Sequence, residues 1–204
     1  MQTKKHFGSL FLICGALFLA AALALTAYNL WDDCRAADSA SDALAGLREE
    51  LSLPPLSSAS AAAPAAAVVP DAELDMPAVT LEERRYLGIL EIPSVSLALP
   101  VLSSCRSADL RIAPCRYFGS VYKNDLVIAG HNYRSHFGKL RNVAIGDSVF
   151  FTDAEGSVFR YTVIDAEIIR PSASSDMVAG DWDLTLFTCS PGGETRFTLR
   201  CARQ

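Results

Sequence analysis

A run of 24 residues without a charge, Phe7 to Leu30, sets the first limit on this chain of 204 residues. At about 1.5 Å per residue, a helix of that length reaches about 36 Å, enough to cross a bilayer core of about 30 Å with some tilt. Lys4 and Lys5 precede the run and Asp32 and Asp33 follow it. The positive-inside bias therefore predicts a cytoplasmic N-terminus with residues 31 to 204 outside the cell. The competing reading is a cleaved signal peptide with a small-x-small site at Ala22-Leu23-Ala24. The run exceeds the roughly 7 to 15 apolar residues of such leaders, which favours a retained anchor. Long apolar runs occur only here, so one span is expected, with residues 1–30 as cytoplasmic tip and anchor.

The formal charge of −5 resides in the middle of the chain, because residues 31–85 carry four Arg against eleven Asp and Glu while residues 86–204 balance twelve against twelve. A neutral C-terminal part lacks the basic footprint of phosphate-backbone binding, so nucleic acid is excluded as an expected partner. Residues 31–51 have helical propensity. The following Ser-Leu-Pro-Pro-Leu stretch and its Ala, Ser and Pro continuation hold too few large apolar side chains to offset ordering entropy. Residues 31–85 thus read as an acidic Ala/Ser/Pro-rich stalk holding a domain away from a membrane.

From Tyr86 onward the texture is short apolar or alternating runs separated by turn residues. Strands are predicted over 86–95, 97–102, 116–119, 126–129, 148–152, 158–169, 184–189 and 197–201. Short helical pieces are predicted over 107–112, 135–142 and 174–179. Eight strands in residues 86–204 point to an all-β fold with short helices, a closed or nearly closed barrel or a sandwich. Cys105 and Cys115 are spaced so that a bridge is open, with two buried thiols preferred. Cys201 shares parity with Phe197 and Leu199 and is expected in the core.

Chemistry concentrates near the C-terminus. A strand ending at Cys189, the turn Ser190-Pro191-Gly192-Gly193-Glu194-Thr195 and a strand opening at Arg196 form a hairpin in which Cys189 and Arg196 face each other. Cross-strand neighbours have Cβ atoms about 5 Å apart, within reach of a guanidinium. A cysteine at its reference pKa of about 8.5 is only slightly ionised at neutral pH, and a fixed positive charge favours the thiolate. His131 ends the apolar run Leu126 to Gly130 and emerges at a strand terminus, where it is free to face a cleft. His136 lies in a polar loop and reads as a solvated residue. Thr188, Trp182 and Tyr133 are candidates for the substrate groove.

Gly130-His131, Thr185-Leu186-Phe187-Thr188-Cys189 and Arg196, in this order behind an N-terminal anchor, resemble the sortases, the cysteine transpeptidases on the surface of Gram-positive bacteria. The resemblance spans about Tyr86 to Arg203 and implies an eight-stranded sortase-type barrel over 86–204. It also implies Cys189 as nucleophile, His131 as acid and base, and Arg196 as substrate and oxyanion ligand. The implied substrate is a secreted protein bearing a Leu-Pro-x-Thr-Gly-like sorting signal, and the implied acceptor is an amine of a peptidoglycan precursor or a pilin. Neither a metal nor an organic cofactor is expected. Residues 171–181 leave no room for the long helix that B-type members insert, and no lid motif or second span is recognised. The subclass is accordingly left open, with a lean to a divergent B- or D-type member.

Two other classes compete. One is a metal module using His131, His136 and Cys189, whose side chains suit zinc but which lack a fourth ligand at characteristic spacing. The other is a catalytically silent, membrane-tethered module, for which the stalk serves equally well.

Overall fold

A computed structural model of the chain describes residues 3–53, 75–170 and 174–204. The chain divides into two compact units, Met1–Arg35 and Ala36–Gln204. The first unit is the apolar part of helix α1 (Thr3–Glu50). Phe11, Leu12, Phe18 and Leu19 stand exposed on it. Among the described residues α1 is the one helix long and apolar enough to cross a membrane.

The second unit holds the remaining elements: β1 (Val79–Leu81), β2 (Arg84–Ile92), β3 (Leu97–Leu102), α2 (Ser107–Leu110), β4 (Cys115–Phe118), β5 (Leu126–Gly130), β6 (Ser148–Asp153), β7 (Val158–Ile169), α3 (Ser174–Val178), β8 (Leu184–Cys189) and β9 (Arg196–Arg203). Single 3-10 turns occur at Pro93–Val95 and Phe137–Asn142. The hydrogen-bonded order is β1-β2-β3-β4-β5-β8-β9-β7-β6, and β6 pairs back onto β2. β2 to β9 are thereby closed into an eight-stranded barrel, with β1 as an added hairpin arm. β3–β4 and β5–β8 are parallel and the other pairs antiparallel. At the closing seam Gly88 has φ +152°, and a Cβ there would collide with the Thr152 carbonyl. Only glycine lets β2 kink between β3 and β6 at this point.

Alternation decides which side chains fill the barrel. Leu184 and Leu186 of β8 join Ile128, Tyr161, Leu199 and Cys201 in the interior cluster. Cys201 is therefore a core residue, and burial pushes its thiol up to about 12. Tyr122 donates to Asp153 at 2.8 Å inside the protein, which anchors the β4–β5 connection to the end of β6.

Within the second unit, the end of α1 packs on the outer face of β2, β3 and β4. Ala36, Ala40 and Leu47 are buried, and Ala43, Leu44 and Leu51 are partly buried. Their spacing of three and four residues forms one helical stripe, of which Ala43, Leu44, Leu47 and Leu51 meet Tyr86, Ile89, Leu102, Ala113 and Cys115 while Ala40 joins the interior cluster. Arg48 donates to Glu91 of β2 at 2.6 Å. The segment expected as stalk is thus heterogeneous. Residues 36–50 are packed helix, residues 75–85 include buried Met76 and strand β1, and the Ala/Ser/Pro stretch 54–74 lies outside the described residues.

Candidate active site

β8 is central to the site because it is flanked by β5 on one side and β9 on the other. Three rungs cross these strands on the face turned away from the interior. Val127, Thr185 and Arg200 form the first; Ala129, Phe187 and Thr198 form the second. For the third, Gly130 pairs with Thr188 and Cys189 with Arg196, which carries His131 to the level of Cys189. Beyond Arg196 the same rung continues to Ile169 of β7. Cys189 and Arg196, at two paired strand ends, therefore share one face and one level, and His131 directly follows the end of the neighbouring β5.

The lower rungs are roofed and the top one is open. Met177 of α3 packs with Val127, Ala129 and Phe187 of these rungs and with Ile169, and Leu110 and Cys105 pack at the edge. His131, Cys189 and Arg196 are each half-buried. The turn before Arg196 is held by backbone bonds from Ser190 to Thr195 and from Gly193 to Ser190, both 2.8 Å, and by the Thr195 amide donating to the Ser190 hydroxyl at 3.0 Å. The Arg196 Nη1 donates to the carbonyls of Gly193 at 3.1 Å and Thr195 at 3.3 Å. These contacts tie the Arg196 side chain to its own turn, at the strand position paired with Cys189.

Gly130 makes room for the approach to His131. A Cβ at Gly130 would lie 2.6 Å from the Phe137 ring, which is fully buried beneath the loop that follows His131. Gly130→Ala is expected to lower stability by about 1–3 kcal/mol through overpacking and to displace His131 from its rung. Urea unfolding together with peptide-cleavage rates checks both effects.

The other expected residues divide. Tyr133 lies between the two histidines, with ring centroids 5.0 Å from His131 and 5.4 Å from His136. Thr188 is buried and by alternation faces the interior, opposite to Cys189. Trp182 stands over the Arg200 guanidinium at 5.7 Å. His136 is not a solvated loop residue. It is fully buried, with Nε2 3.3 Å from the Ala36 carbonyl of α1, because the packed helix covers a loop whose sequence is polar. Among the described residues, no three His, Cys, Asp or Glu side chains converge as a metal site, so the structure does not bring His131, His136 and Cys189 together as ligands.

All six cysteines are thiols. Cys105 and Cys115 are hydrogen-bond neighbours. That bond, together with burial, pushes the Cys115 thiol up, and the same bond lowers Cys105. One further residue at the site was not singled out from sequence. Ser190 clamps the catalytic-side turn, and its position directly after a strand-ending cysteine was the available signal. Arg200 reads from the sequence as a rival to Arg196, sharing its face of β9 but lying deeper in the strand and farther from Cys189.

The sortase domain family matches residues 90–203, more than half of the chain. Sortase A of Bacillus anthracis is 28% identical over 116 residues, covering 54% of this chain and 55% of that protein. The chain thus spans about half the length of the curated relative it matches. Among solved structures, sortase A from Corynebacterium diphtheriae superposes with a TM-score of 0.53 at 23% identity, over 60% of this chain and 62% of that one. Clostridium perfringens sortase C, solved with the C-terminal cell wall sorting motif, superposes with a TM-score of 0.51 at 21% identity, over 58% of this chain and 70% of that one. The extent of the family match, on a barrel of the corresponding fold, assigns this chain to the sortase family.

Proposed function

We propose that the protein is a membrane-anchored cysteine transpeptidase that cleaves a sorting signal on a secreted protein and passes the acyl group to an amine. The single observation that supports this reading is the pairing of Cys189 with Arg196 next to the strand end that His131 follows. In the proposed cycle the Cys189 sulfur attacks the backbone carbonyl carbon of a Leu-Pro-x-Thr-Gly-like signal. Arg196 faces the carbonyl oxygen as negative charge develops there. The C–N bond then breaks, and His131 gives its proton to the leaving amine, which leaves a thioacyl enzyme. An incoming amine, from a peptidoglycan precursor or a pilin, loses a proton to His131, attacks the thioester carbon and expels the Cys189 thiolate. No step needs a metal or an organic cofactor.

The proposed placement has α1 as a single membrane span, with its lysine-flanked end in the cytoplasm and the barrel outside. Sorting-signal proteins and their acceptors meet the enzyme there. The silent-module reading is disfavoured by the half-open top rung, since a purely structural cysteine gains nothing from an arginine across the strand and a histidine beside it.

The test is to incubate the protein with a library of sorting-signal peptides and determine the mass added to each cysteine. An acyl adduct on Cys189 is expected, and its mass reports the cleavage position. Mapping by residue matters because Cys105 is a second half-buried thiol. Adducts spread equally over Cys105 and Cys189, with no peptide cleaved, would instead support a catalytically silent module.

A further inference from the structure

We propose that Arg200 is a positioning residue that fixes the wall of the substrate groove formed by α3, and so governs how tightly the sorting signal is held. The inference rests on the reading of His131, Cys189 and Arg196 as the reacting rung. Arg200 is 2% exposed, unusual for a side chain that carries a permanent charge. Its donors are distributed over three elements. Nε donates to Glu167 of β7 at 2.6 Å, Nη1 to the Thr185 hydroxyl of β8 at 3.0 Å and to the Met177 carbonyl at 3.1 Å, and Nη2 to the Asp176 carbonyl at 2.6 Å. Trp182, at the far end of the β7–β8 connection, covers the guanidinium.

Five residues are too few for α3 to hold its own shape. Its last carbonyls have no partners within the helix, and Arg200 supplies two of them. Met177 provides the second attachment. It is buried among Val127, Ala129, Ile169 and Phe187, and its sulfur accepts from the Thr198 hydroxyl at 3.7 Å. Arg200 lies four residues along β9 from Arg196, about 13 Å away at the rise of a strand. It therefore does not reach the reacting atoms. Its effect on the reaction passes through α3, whose Met177 roofs the second rung directly below Cys189. Lysine cannot replace it, because an ammonium at the end of a flexible stem does not present the planar fork that reaches a carboxylate, a hydroxyl and two carbonyls together.

The experiment compares wild type, Arg200→Lys and Glu167→Gln in the full-length detergent-solubilised protein. The peptide is the one the wild type cleaves best in the library experiment. Arg200→Lys is expected to raise KM about tenfold while kcat stays within about threefold. The rate of iodoacetamide alkylation at Cys189 is expected to stay within about twofold of wild type, and deuterium uptake in residues 174–183 to rise without a matching rise in β3 or β7. Glu167→Gln moves the same readouts in the same direction by less, and carries the test should Arg200→Lys not fold. Unchanged KM with unchanged deuterium uptake overturns the proposal. So does an alkylation rate at Cys189 that falls in step with peptide cleavage, since Arg200 would then act on the nucleophile itself. A wild type that cleaves no peptide overturns the transpeptidase reading, and the deuterium arm still decides whether Arg200 braces α3.

Discussion

Cys189→Ala and His131→Ala are each expected to abolish sorting-peptide cleavage, with a loss of at least about 10³-fold, while the barrel remains folded. The two losses have different origins. Without the sulfur there is no thioacyl intermediate, and the peptide must be attacked by water directly. Without the imidazole the thiol still stands in the groove, but the amine must leave unprotonated and the incoming amine must attack with its proton in place. The fold survives because both side chains are half-buried at strand ends, outside the interior cluster. Their truncation leaves no closed cavity of the kind that makes core substitutions costly. Chromatography of peptide products alongside thermal unfolding separates loss of chemistry from loss of structure. The double variant should be no worse than the worse single variant, since the groups act as a unit. Cleavage by Cys189→Ala at the wild-type rate would remove the covalent mechanism.

Arg196→Lys is expected to lose about 10²-fold or more in kcat/KM, although the charge is retained. Arg196 has two demands on it. Its Nη1 is tied to the carbonyls of Gly193 and Thr195, and in the proposed cycle the rest of the fork faces the substrate carbonyl held beside Cys189. An ammonium group can satisfy the turn or the developing oxyanion, not both in one plane. The loss should fall mainly on kcat, because the oxyanion exists only on the way to and from the tetrahedral intermediate. Full activity in Arg196→Lys would mean that positive charge alone suffices and that the planar fork has no part in the step.

Much of the barrel was legible because its strands are long or sharply alternating. β3, β7 and β8 begin and end where the apolar pattern of the sequence begins and ends, and the pairing of Cys189 with Arg196 follows from one short turn. β1 was not legible. It joins β2 through Glu82 and Glu83, with φ of 46° and 65°, so a two-residue turn of left-handed backbone is made by residues that do not advertise it. Asn-Gly or Asp-Gly at those positions would have been the usual signal. The packed end of α1 was hidden for a related reason. Half of its stripe is alanine, which serves helix propensity and close packing equally, so a propensity argument found the helix without finding its surface. His136 was misread in consequence, since a polar loop is buried when a helix from a hundred residues earlier covers it. Arg200 appeared in the sequence as a rival to Arg196, and only the positions of Glu167, Thr185 and the α3 carbonyls disclose its different place.

β8 and β9 are neighbours along the chain and can zip as a local hairpin within about 1–10 μs, whereas β5 reaches β8 by a parallel pairing across three intervening elements. Long-range pairings of this kind are the slow part of folding for β topologies. Thiol and guanidinium therefore meet early, and the imidazole arrives with ring closure. On the proposed roles, a chain caught between those two events carries the nucleophile without its proton donor, and turnover begins only once β5 has paired with β8.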